Sequence, residues 1–501
     1  MGDLPDWCEP LYDAPQMRAV DSWAIQEREI PSLELMERAG EGVARAVEEL
    51  ASDGRLAVVC GKGNNGGDGL VVARLLRNAG REVAVVCTAP APDLSPDARA
   101  NLERLPGTPP LLFAEPAARE AIANAEAIVD ALLGTGFDGV PRGAVADAIA
   151  GVNAAPGRVV SVDVPSGVDA SSGTVAGGAI DAHKTVTFHV GKPGLWIHPG
   201  KGCAGQTDTI EIGIPRGAPS RAHIGLICEG VLGTLPRRGS SSTKFTSGHV
   251  VVVGGSPGLT GAPAMAALAA ARAGAGYVTA CVPESLREIL DVQLMEIMTR
   301  GLPAAHGVLT PEALPVALEL LERAGALALG PGLGRDPHSA LLARGLARAA
   351  PVAMVLDADG LNAHVGFLAE LSQRHAPTVL TPHAGELARL LETDSERVGR
   401  ERLSHFRAAA EQAQAIIVLK GDDTLIAEPG GRVAVSRGGS PALATAGTGD
   451  VLTGTIAALL AQGMEAFTAA AAGVYVHAQA GRDAARRQGS SEGVIAGDVI
   501  A

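Results

Sequence analysis

The chain has 501 residues, of which 47% are hydrophobic and 3% aromatic, and its formal net charge is −14. This length predicts two or three domains, and the acidic balance argues against nucleic acid or an anionic membrane as a partner, because both require clustered Lys and Arg. The cysteines are scattered without a CxxC pair, so neither a zinc site nor a disulfide framework is indicated. The first residues lack the features of a signal peptide, and no apolar stretch is long enough to span a bilayer. We therefore expect a cytoplasmic protein.

Short apolar runs alternate with helix-like segments in the N-terminal half. The runs cover residues 56–60, 82–87, 127–133 and 159–164. This alternation is typical of βαβ units, and it predicts a Rossmann-like three-layer domain with a parallel sheet between two layers of helices. Ligands of such sheets bind beyond the carboxyl ends of the strands.

The loop after the first run reads Gly-Lys-Gly-Asn-Asn-Gly-Gly-Asp-Gly over residues 61–69 and formally contains GxGxxG. A dinucleotide site would also need an acidic residue about 20 positions further on. That region reads Val86-Cys87-Thr88, so an ordinary NAD site is disfavoured.

Polar side chains follow three of the predicted strands. Asn65 lies in the first loop, Asp130 follows the third run and Ser166 follows the fourth. Oxygens of this kind can hold a hard cation, although each residue taken singly would more often cap a turn.

Together, the motifs GKGNNGGDG, VDALLGTG and VDVPSG resemble the epimerase domain of NAD(P)H-hydrate repair enzymes, over roughly residues 10–215. The resemblance implies a potassium ion held by Asn65, Asp130 and Ser166. It makes Asp163 the best candidate for proton transfer at the carbon that bears the added hydroxyl, whereas we expect Lys192 in a surface turn. The residues implied to contact the hydrated nicotinamide nucleotide are Asn64, Asn65, Gly66, Gly67, Asp68, Gly134, Thr135, Gly136, Phe137, Asp138, Gly139, Val140 and Asp163.

A turn-rich stretch around Gly217 separates the two halves. Such weakly apolar segments are typical of linkers. We therefore expect an epimerase domain over residues 1–217 and a second domain over residues 225–501.

The second half also alternates strand-like runs with helices, and its most informative stretch is the small-residue loop over residues 444–454, which contains Gly-Thr-Gly-Asp. The first turn of the following helix leaves N–H groups without carbonyl partners, and these can cradle a phosphoryl group. Asp450 in that turn can accept a proton from a hydroxyl that attacks phosphorus. A helix with a flexible glycine entry remains the alternative for this motif alone. A G-x-x-x-x-G-K-[ST] loop does not occur.

Together with the loop at residues 330–334, TPHAGE at 381–386 and Lys420-Gly421, this motif resembles the dehydratase domain of the same repair enzymes, which is ribokinase-like. The resemblance implies ADP or ATP as co-substrate and Mg²⁺ as cofactor, with Glu386 as a ligand of magnesium-bound water. Asp357 and Asp359 stay unassigned. The residues implied to contact the nucleotide are Lys420, Gly421, Asp422, Asp423, Thr424 and Gly449. Those implied to contact the hydrate are Ala262, Gly332, His383 and Asp450.

The implied function is repair of hydrated NADH and NADPH by a bifunctional isomerase and lyase. The first domain would interconvert the R and S epimers. The second would dehydrate the S epimer by phosphorylating its hydroxyl and eliminating phosphate. We further expect a homo-oligomer.

Two other readings stay open at this point. The second half alone can be a ribokinase-like vitamin or sugar kinase attached to a nucleotide-binding module, and a phosphorylated product would then accumulate. Alternatively, the first half is a noncatalytic binding module, in which case Asp163→Ala would leave the kinetics unchanged.

Overall fold

The computed structural model describes residues 3–501. The chain forms two compact units, one of residues 10–224 with 400–402, the other of residues 225–399 and 403–501. Residues 3–9 group with the second unit, whereas the sequence analysis placed them in the first domain. We call these the N-terminal and the C-terminal unit.

The first part of the chain alternates strands and helices as expected. Its strands are β1 (Cys8–Leu11), β2 (Leu56–Cys60), β3 (Val83–Cys87), β4 (Leu111–Leu112), β5 (Ala127–Ala131), β6 (Arg158–Val162), β7 (Lys184–Phe188) and β8 (Gln206–Ile210). Its helices are α1 (Ala14–Gln26), α2 (Ser32–Leu50), α3 (Asn64–Asn78), α4 (Pro96–Glu103), α5 (Pro116–Ala123), α6 (Ala144–Ala154) and α7 (Gly200–Ala204).

The N-terminal unit contains a seven-stranded sheet in the order β4-β3-β2-β5-β6-β7-β8, and every adjacent pair is parallel. Val58 faces a core that includes residues of α2 and α3, whereas Ala57 and Val59 face a second core with residues of α5 and α6. Helices therefore cover both faces, and the predicted three-layer α/β architecture is confirmed. Strands β7 and β8 were not predicted, because their sequences, KTVTF and QTDTI, are interrupted by polar residues.

The strands of the C-terminal unit are β9 (Ile224–Ile227), β10 (His249–Val253), β11 (Tyr277–Pro283), β12 (Met298–Leu302), β13 (Ala304–Ala305), β14 (Val308–Leu309), β15 (Ala326–Leu329), β16 (Ala353–Leu356), β17 (Thr378–Leu380), β18 (Ile416–Leu419), β19 (Leu425–Ala427) and β20 (Val433–Val435). Its helices are α8 (Gly261–Arg272), α9 (Arg287–Gln293), α10 (Leu314–Leu321), α11 (Pro337–Ala349), α12 (Asp359–Asn362), α13 (Ala384–Leu390), α14 (Ser395–Arg400), α15 (Arg402–Ala413), α16 (Thr448–Ala461), α17 (Ala466–Gln488) and α18 (Ala496–Ile500). Short 3₁₀ turns cover Ala91–Asp93, Pro193–Leu195, Glu229–Thr234, Glu284–Leu286, Pro311–Ala313, Leu368–Gln373 and Pro441–Leu443.

The large sheet of this unit has the order β1-β9-β20-β19-β18-β17-β16-β15-β10-β11-β12. Seven neighbouring strands of this sheet run parallel, in the order β18-β17-β16-β15-β10-β11-β12. Strand β19 pairs antiparallel with β18 on one side and with β20 on the other. Val250 and Val252 pack in a core with residues of α8, α16 and α17. The apolar runs of this half predict strands at residues 249–253, 277–282, 326–329, 352–356, 378–380 and 416–419, and all six are present.

The parallel order brings the ends of several strands to one edge of each sheet. In the N-terminal unit these ends lead into the start of α3, the loop after β5, and Asp163 after β6. In the C-terminal unit they lead into Asp357 after β16, His383 after β17 and Lys420 after β18. Over residues 3–501, no helix is long and apolar enough to cross a membrane.

Candidate active sites

A cavity of about 810 Å³ lies within the N-terminal unit. It brings together many of the residues that the sequence analysis assigned to the hydrated nucleotide, namely Asn64, Asn65, Asp68, Gly134, Thr135, Gly136, Phe137 and Asp163. Among the described residues, the remaining members of that set are absent from its lining; these are Gly66, Gly67, Asp138, Gly139 and Val140.

The glycines at the start of α3 have a packing role. A Cβ added at Gly66 would collide with the backbone of Gly61, and one added at Gly67 would press on the sulfur of Met36. Both glycines are buried. Gly66 therefore lets the first turn of α3 approach the end of β2 closely, and Gly67 lets it approach α2, which brings Asn65 and Asp68 to the cavity.

Asp163 is held by a buried ion pair. The Nζ of Lys192 donates to Asp163 Oδ1 over 2.6 Å, and it also donates to Thr187 Oγ1 and to the carbonyl oxygen of Phe188, each over 2.9 Å. All three ammonium hydrogens therefore have acceptors inside the protein. Lys192 is 0% exposed, so the expectation of a surface-turn lysine is wrong.

The same contacts leave one oxygen of Asp163 for a ligand. Oδ1 also accepts from Thr187 Oγ1 over 3.0 Å and from the backbone N–H of Phe188 over 3.4 Å, whereas the described residues donate no hydrogen bond to Oδ2. The backbone at Asp163 has φ of 68°, in the left-handed region that costs a residue with a side chain of order 1–3 kcal/mol. The ion pair and the neighbouring contacts hold the carboxylate in this conformation at the cavity wall.

Two further carboxyl groups line this cavity. Burial, and after it the charge of Asp163, raises the pKa of Asp68 well above its usual range. Burial likewise raises the pKa of Asp21 to about 6, although the nearby Lys192 ammonium opposes that shift. The sequence analysis did not predict Asp21 as a site residue. The pattern that could have indicated it is an acidic residue among the buried residues Met17, Val20 and Ala24 of α1.

Asn65, Asp130 and Ser166 also meet at this edge of the sheet. The Nδ2 of Asn65 donates to the carbonyl oxygen of Val162 over 2.8 Å, while Asn65 Oδ1 is buried and accepts no hydrogen bond. Asp130 is fully buried, and its Oδ1 and Oδ2 accept from the hydroxyl and the backbone N–H of Ser166 over 2.6 and 2.9 Å. An amide oxygen without a donor beside a buried carboxylate fits a hard cation such as potassium.

The second candidate site lies at the start of α16. Gly447 precedes this helix with φ of 90°, and Asp450 lies in its first turn. The four N-terminal N–H groups of a helix have no intrahelical acceptor, so this end is suited to an anion. Gly449 faces Lys420, because a Cβ added there would lie 3.4 Å from its Nζ.

Lys420 is bonded to a carboxylate other than Asp450. Its Nζ donates to Asp357 Oδ1 over 2.9 Å, and Thr453 Oγ1 donates to Asp357 Oδ2 over 2.7 Å. Burial works against the ammonium, but the charges of Asp357 and Glu386 outweigh it and raise the pKa of Lys420. Asp357, which sequence reasoning left unassigned, therefore ties the end of β18 to the second turn of α16.

Asp450 itself forms no direct ion pair with any residue that the structure describes. Burial, followed by the charge of Asp357, raises its pKa to about 7, and Lys420 only partly offsets this. A carboxylate with such a pKa is suited to general base catalysis near neutral pH.

His383 caps the start of α13. Its Nδ1 accepts from the backbone N–H groups of Gly385 and Glu386 over 3.0 and 3.4 Å, and Glu386 Oε2 accepts from the His383 N–H over 2.9 Å. Burial lowers the pKa of His383, so we assign a neutral ring with its proton on Nε2. The side chain is 55% exposed, which leaves that N–H available to a ligand.

The remaining predicted residues lie in loops and in the first turn of α8. A Cβ added at Gly332 would lie 3.2 Å from the Cβ of Ala262 in the first turn of α8. Gly421, Asp422, Asp423 and Thr424 form the turn between β18 and β19, where Thr424 Oγ1 donates to the carbonyl oxygen of Gly421 over 2.7 Å. Within residues 3–501, no group of three or more His, Cys, Asp or Glu side chains is arranged to hold a metal ion.

Comparison with known proteins extends these observations. A family model described as NAD(P)H-hydrate dehydratase matches residues 250–500, and one described as YjeF-related protein N-terminus matches residues 32–194. A solved structure, ADP/ATP-dependent NAD(P)H-hydrate dehydratase from Bacillus subtilis co-crystallised with ATP and Mg²⁺, is 28% identical, covers 54% of this chain and 93% of its own, and has a TM-score of 0.47.

Relatives match over nearly the whole chain. The bifunctional NAD(P)H-hydrate repair enzyme Nnr of Moorella thermoacetica is 43% identical, and the alignment covers 98% of this chain and 95% of the relative. The enzyme of the same name from Salinibacter ruber is 39% identical, with 98% and 94% covered. Because this identity extends across both units, the chain belongs to the family of bifunctional NAD(P)H-hydrate repair enzymes.

Proposed function

We propose that the N-terminal unit interconverts the R and S epimers of hydrated NADH and NADPH at Asp163, and that the C-terminal unit dehydrates the S epimer at Asp450 with ADP or ATP. The observation that carries the dehydratase assignment is the half-buried Asp450 in the first turn of α16, beside Lys420. The names of the relatives support the same pair of reactions.

Asp450 begins the dehydration by removing the proton of the substrate hydroxyl. The hydroxyl oxygen then bonds to the terminal phosphorus of the nucleotide, whose bond to the bridging oxygen breaks. The N–H groups at the start of α16 stabilise the transferring phosphoryl group, and one such donor is typically worth about 2.7–4 kcal/mol. Lys420 lies beside Gly449 and can bind a nucleotide phosphate.

The phosphorylated hydroxyl is a better leaving group than hydroxide. The ring nitrogen drives departure of phosphate, and the neighbouring carbon loses a proton to restore the dihydronicotinamide ring. One nucleotide phosphoanhydride is consumed for each NADH or NADPH recovered.

Mg²⁺ supplies charge neutralisation for nucleotide phosphates and usually retains several bound waters. The carboxylates near Lys420 fit contact with such waters better than direct ligation, since Asp357 bonds both Lys420 and Thr453. Glu386 Oε2 accepts from the backbone N–H of His383, and Glu386 Oε1 lies 3.6 Å from His383 Nε2. Glu386 is therefore a candidate ligand of a magnesium-bound water.

Potassium would be held in the N-terminal unit by Asn65, Asp130 and Ser166. The buried Oδ1 of Asn65, which accepts no hydrogen bond, supports this assignment. The ion would stabilise the buried carboxylate of Asp130 and fix the loops that carry Gly134 and Asp163.

The test is recovery of NADH absorbance from a mixture of both hydrate epimers, with Mg²⁺ and either ADP or ATP. The intact protein should convert the mixture completely. Asp450→Asn should recover no NADH. Asp163→Ala should convert the S epimer at the normal rate, but the second phase, in which the R epimer is converted, should slow to the spontaneous rate of epimerisation. Failure to recover NADH with either nucleotide would contradict the dehydratase assignment and favour a small-alcohol kinase.

Cytoplasmic location and homo-oligomeric assembly stay predictions. We propose a homo-oligomer, which light scattering of the purified chain would test against the monomer mass of 50.6 kDa. A mass equal to the monomer at micromolar concentration would contradict it.

A further inference from the structure

The cavity of the N-terminal unit is markedly acidic. Its lining includes five aspartates but only two lysines, and one of these, Lys192, is paired with Asp163; the aspartates are Asp21, Asp68, Asp93, Asp97 and Asp163. The phosphates of a nicotinamide nucleotide are anions, so an acidic lining does not favour their binding. A carboxylate is instead suited to a step in which positive charge develops, and a neutral carboxyl group is suited to one in which a proton is donated.

We propose that Asp68 is the general acid of epimerisation, that it protonates the departing hydroxyl group, and that Asp163 takes a proton from the water that replaces it. The proposal rests on the epimerase function proposed above and deepens it. It assigns the reaction to loss and re-addition of the hydroxyl rather than to opening of the ring.

Asp163 is bonded to a buried ammonium group. Lys192 Nζ lies 2.6 Å from Oδ1, and Thr187 also donates to that oxygen, so only Oδ2 is open to the cavity. A carboxylate with one open oxygen can remove a proton from water and stabilise a nearby cation.

Asp68 is built differently. Within residues 3–501 its carboxyl makes no hydrogen bond or ion pair, although it lines the same cavity. Enclosure by the protein and the charges of Asp163 and Asp21 favour its neutral form. A carboxyl group whose surroundings favour its neutral form and a carboxylate paired with an ammonium group provide an acid and a base in one site.

The proposed step is balanced without any reagent other than water. The bond between the ring carbon and its hydroxyl oxygen breaks as Asp68 gives its proton to that oxygen, so water leaves. The lone pair of the adjacent ring nitrogen forms a carbon–nitrogen double bond, which leaves a positive charge on the ring. A second water then adds to the opposite face of the carbon and gives a proton to Asp163, and the electron pair returns to nitrogen. Exchange with solvent restores both carboxyl groups.

Opening of the ring makes a different demand on the site. It breaks the carbon–nitrogen bond and keeps the oxygen as an aldehyde, so no ring cation forms. The acidic lining around Asp163 would then have no charge to stabilise. The cavity therefore favours loss of the hydroxyl.

The decisive measurement is epimerisation of pure R hydrate by the whole protein in H₂¹⁸O without added nucleotide. We expect one ¹⁸O atom in the hydroxyl for each molecule that epimerises, after subtraction of the enzyme-free reaction. Enzyme-catalysed epimerisation with the original oxygen retained would overturn the proposal. Absence of enzyme-catalysed epimerisation would instead contradict the proposed epimerase function itself.

Variants test the residue assignment. Asp68→Asn should lower the turnover number for epimerisation about 10²-fold or more, as loss of a general acid typically does, while KM changes less than about threefold. Asp53→Asn makes the same substitution at an exposed aspartate of the N-terminal unit that is absent from the cavity lining, and it should change turnover less than about threefold. An Asp68→Asn variant that epimerises at the rate of Asp53→Asn would overturn the role of Asp68. If Asp68→Asn does not fold, the isotope result on the intact protein still decides the proposal.

Discussion

Each unit places a lysine beside a candidate catalytic aspartate, but the lysine bonds a different partner in the two sites. In the N-terminal unit Lys192 pairs directly with Asp163 over 2.6 Å. In the C-terminal unit Lys420 pairs with Asp357 over 2.9 Å, and Asp450 keeps a pKa of about 7. Direct pairing with a lysine thus holds Asp163 in place, whereas Asp450 is left as a base that titrates near neutral pH.

Removing the base in the C-terminal unit should have the largest effect. Asp450→Asn should lower nucleotide-dependent recovery of NADH by about 10²–10⁴-fold, the range typical of general base catalysis, and leave epimer exchange unchanged. Asp483→Asn in α17, at a side chain that is 45% exposed, is the matched control. Recovery above one tenth of the control rate would show that Asp450 is not the base.

Breaking the direct ion pair should affect both stability and catalysis in the N-terminal unit. Lys192→Met leaves Asp163 buried without its cation, which typically costs about 3–5 kcal/mol, and we expect slower epimer exchange as well. Urea unfolding followed by the fluorescence of Trp23 and Trp196 measures the stability change.

The control for that variant is an exposed ion pair. Arg55 Nε lies 2.9 Å from Glu82 Oε1 with both side chains largely exposed, so Arg55→Met should cost less than about 1 kcal/mol. Equal costs for the two substitutions would contradict a special role for the buried pair.

In the C-terminal unit, where Lys420 bonds Asp357 and not Asp450, we expect the dehydratase rate to depend on pH. Asp450 must be ionised to accept a proton, so the dehydratase rate should rise with pH through about 7. Asp357→Asn removes a negative charge that raises the pKa of Asp450, and the midpoint should move to lower pH. Thr453→Val breaks only the hydrogen bond to Asp357 and keeps its charge, so its midpoint should stay near that of the intact protein. A midpoint unchanged in Asp357→Asn would refute this electrostatic link.

The smallest effect concerns the cation. Asn65→Leu should weaken the potassium dependence of epimer exchange, with a loss of affinity of about 10-fold or more, while dehydration keeps its rate. Titration of KCl at constant ionic strength, with choline as the replacement cation, measures this. Identical potassium dependence in the variant and the intact protein would exclude Asn65 as a ligand.

Much of the fold follows from local patterns in the sequence. Apolar runs such as that of β10, flanked by glycine loops, predicted buried parallel strands because a strand covered on both faces must be apolar throughout. Two of the strands that escaped prediction, β7 and β8, carry polar residues whose partners come from other elements. The Oγ1 of Thr185 in β7, for example, donates to the carbonyl oxygen of Ala204 over 2.6 Å.

The features of the two sites also divide into those that the sequence predicts and those that it does not. Asp450 and Asp163 were found because glycine-rich or strand-end motifs carry them. The burial of Lys192 and the link from Asp357 to Thr453 depend on residues far apart in the chain, and the Asp357–Thr453 pair is separated by 96 positions. No local pattern encodes such a contact, and the same holds for the charges that shift the pKa of Asp68.

The division of the two reactions between the two aspartates is tested most directly by mixing inactivated proteins. Asp450→Asn and Asp163→Ala are combined in equal amounts with both hydrate epimers, Mg²⁺ and ATP. We predict that Asp450→Asn alone recovers no NADH, that Asp163→Ala alone recovers quickly only the S fraction, and that the mixture recovers both fractions quickly. A mixture no faster in its second phase than Asp163→Ala alone would contradict the assignment of separate reactions to Asp163 and Asp450.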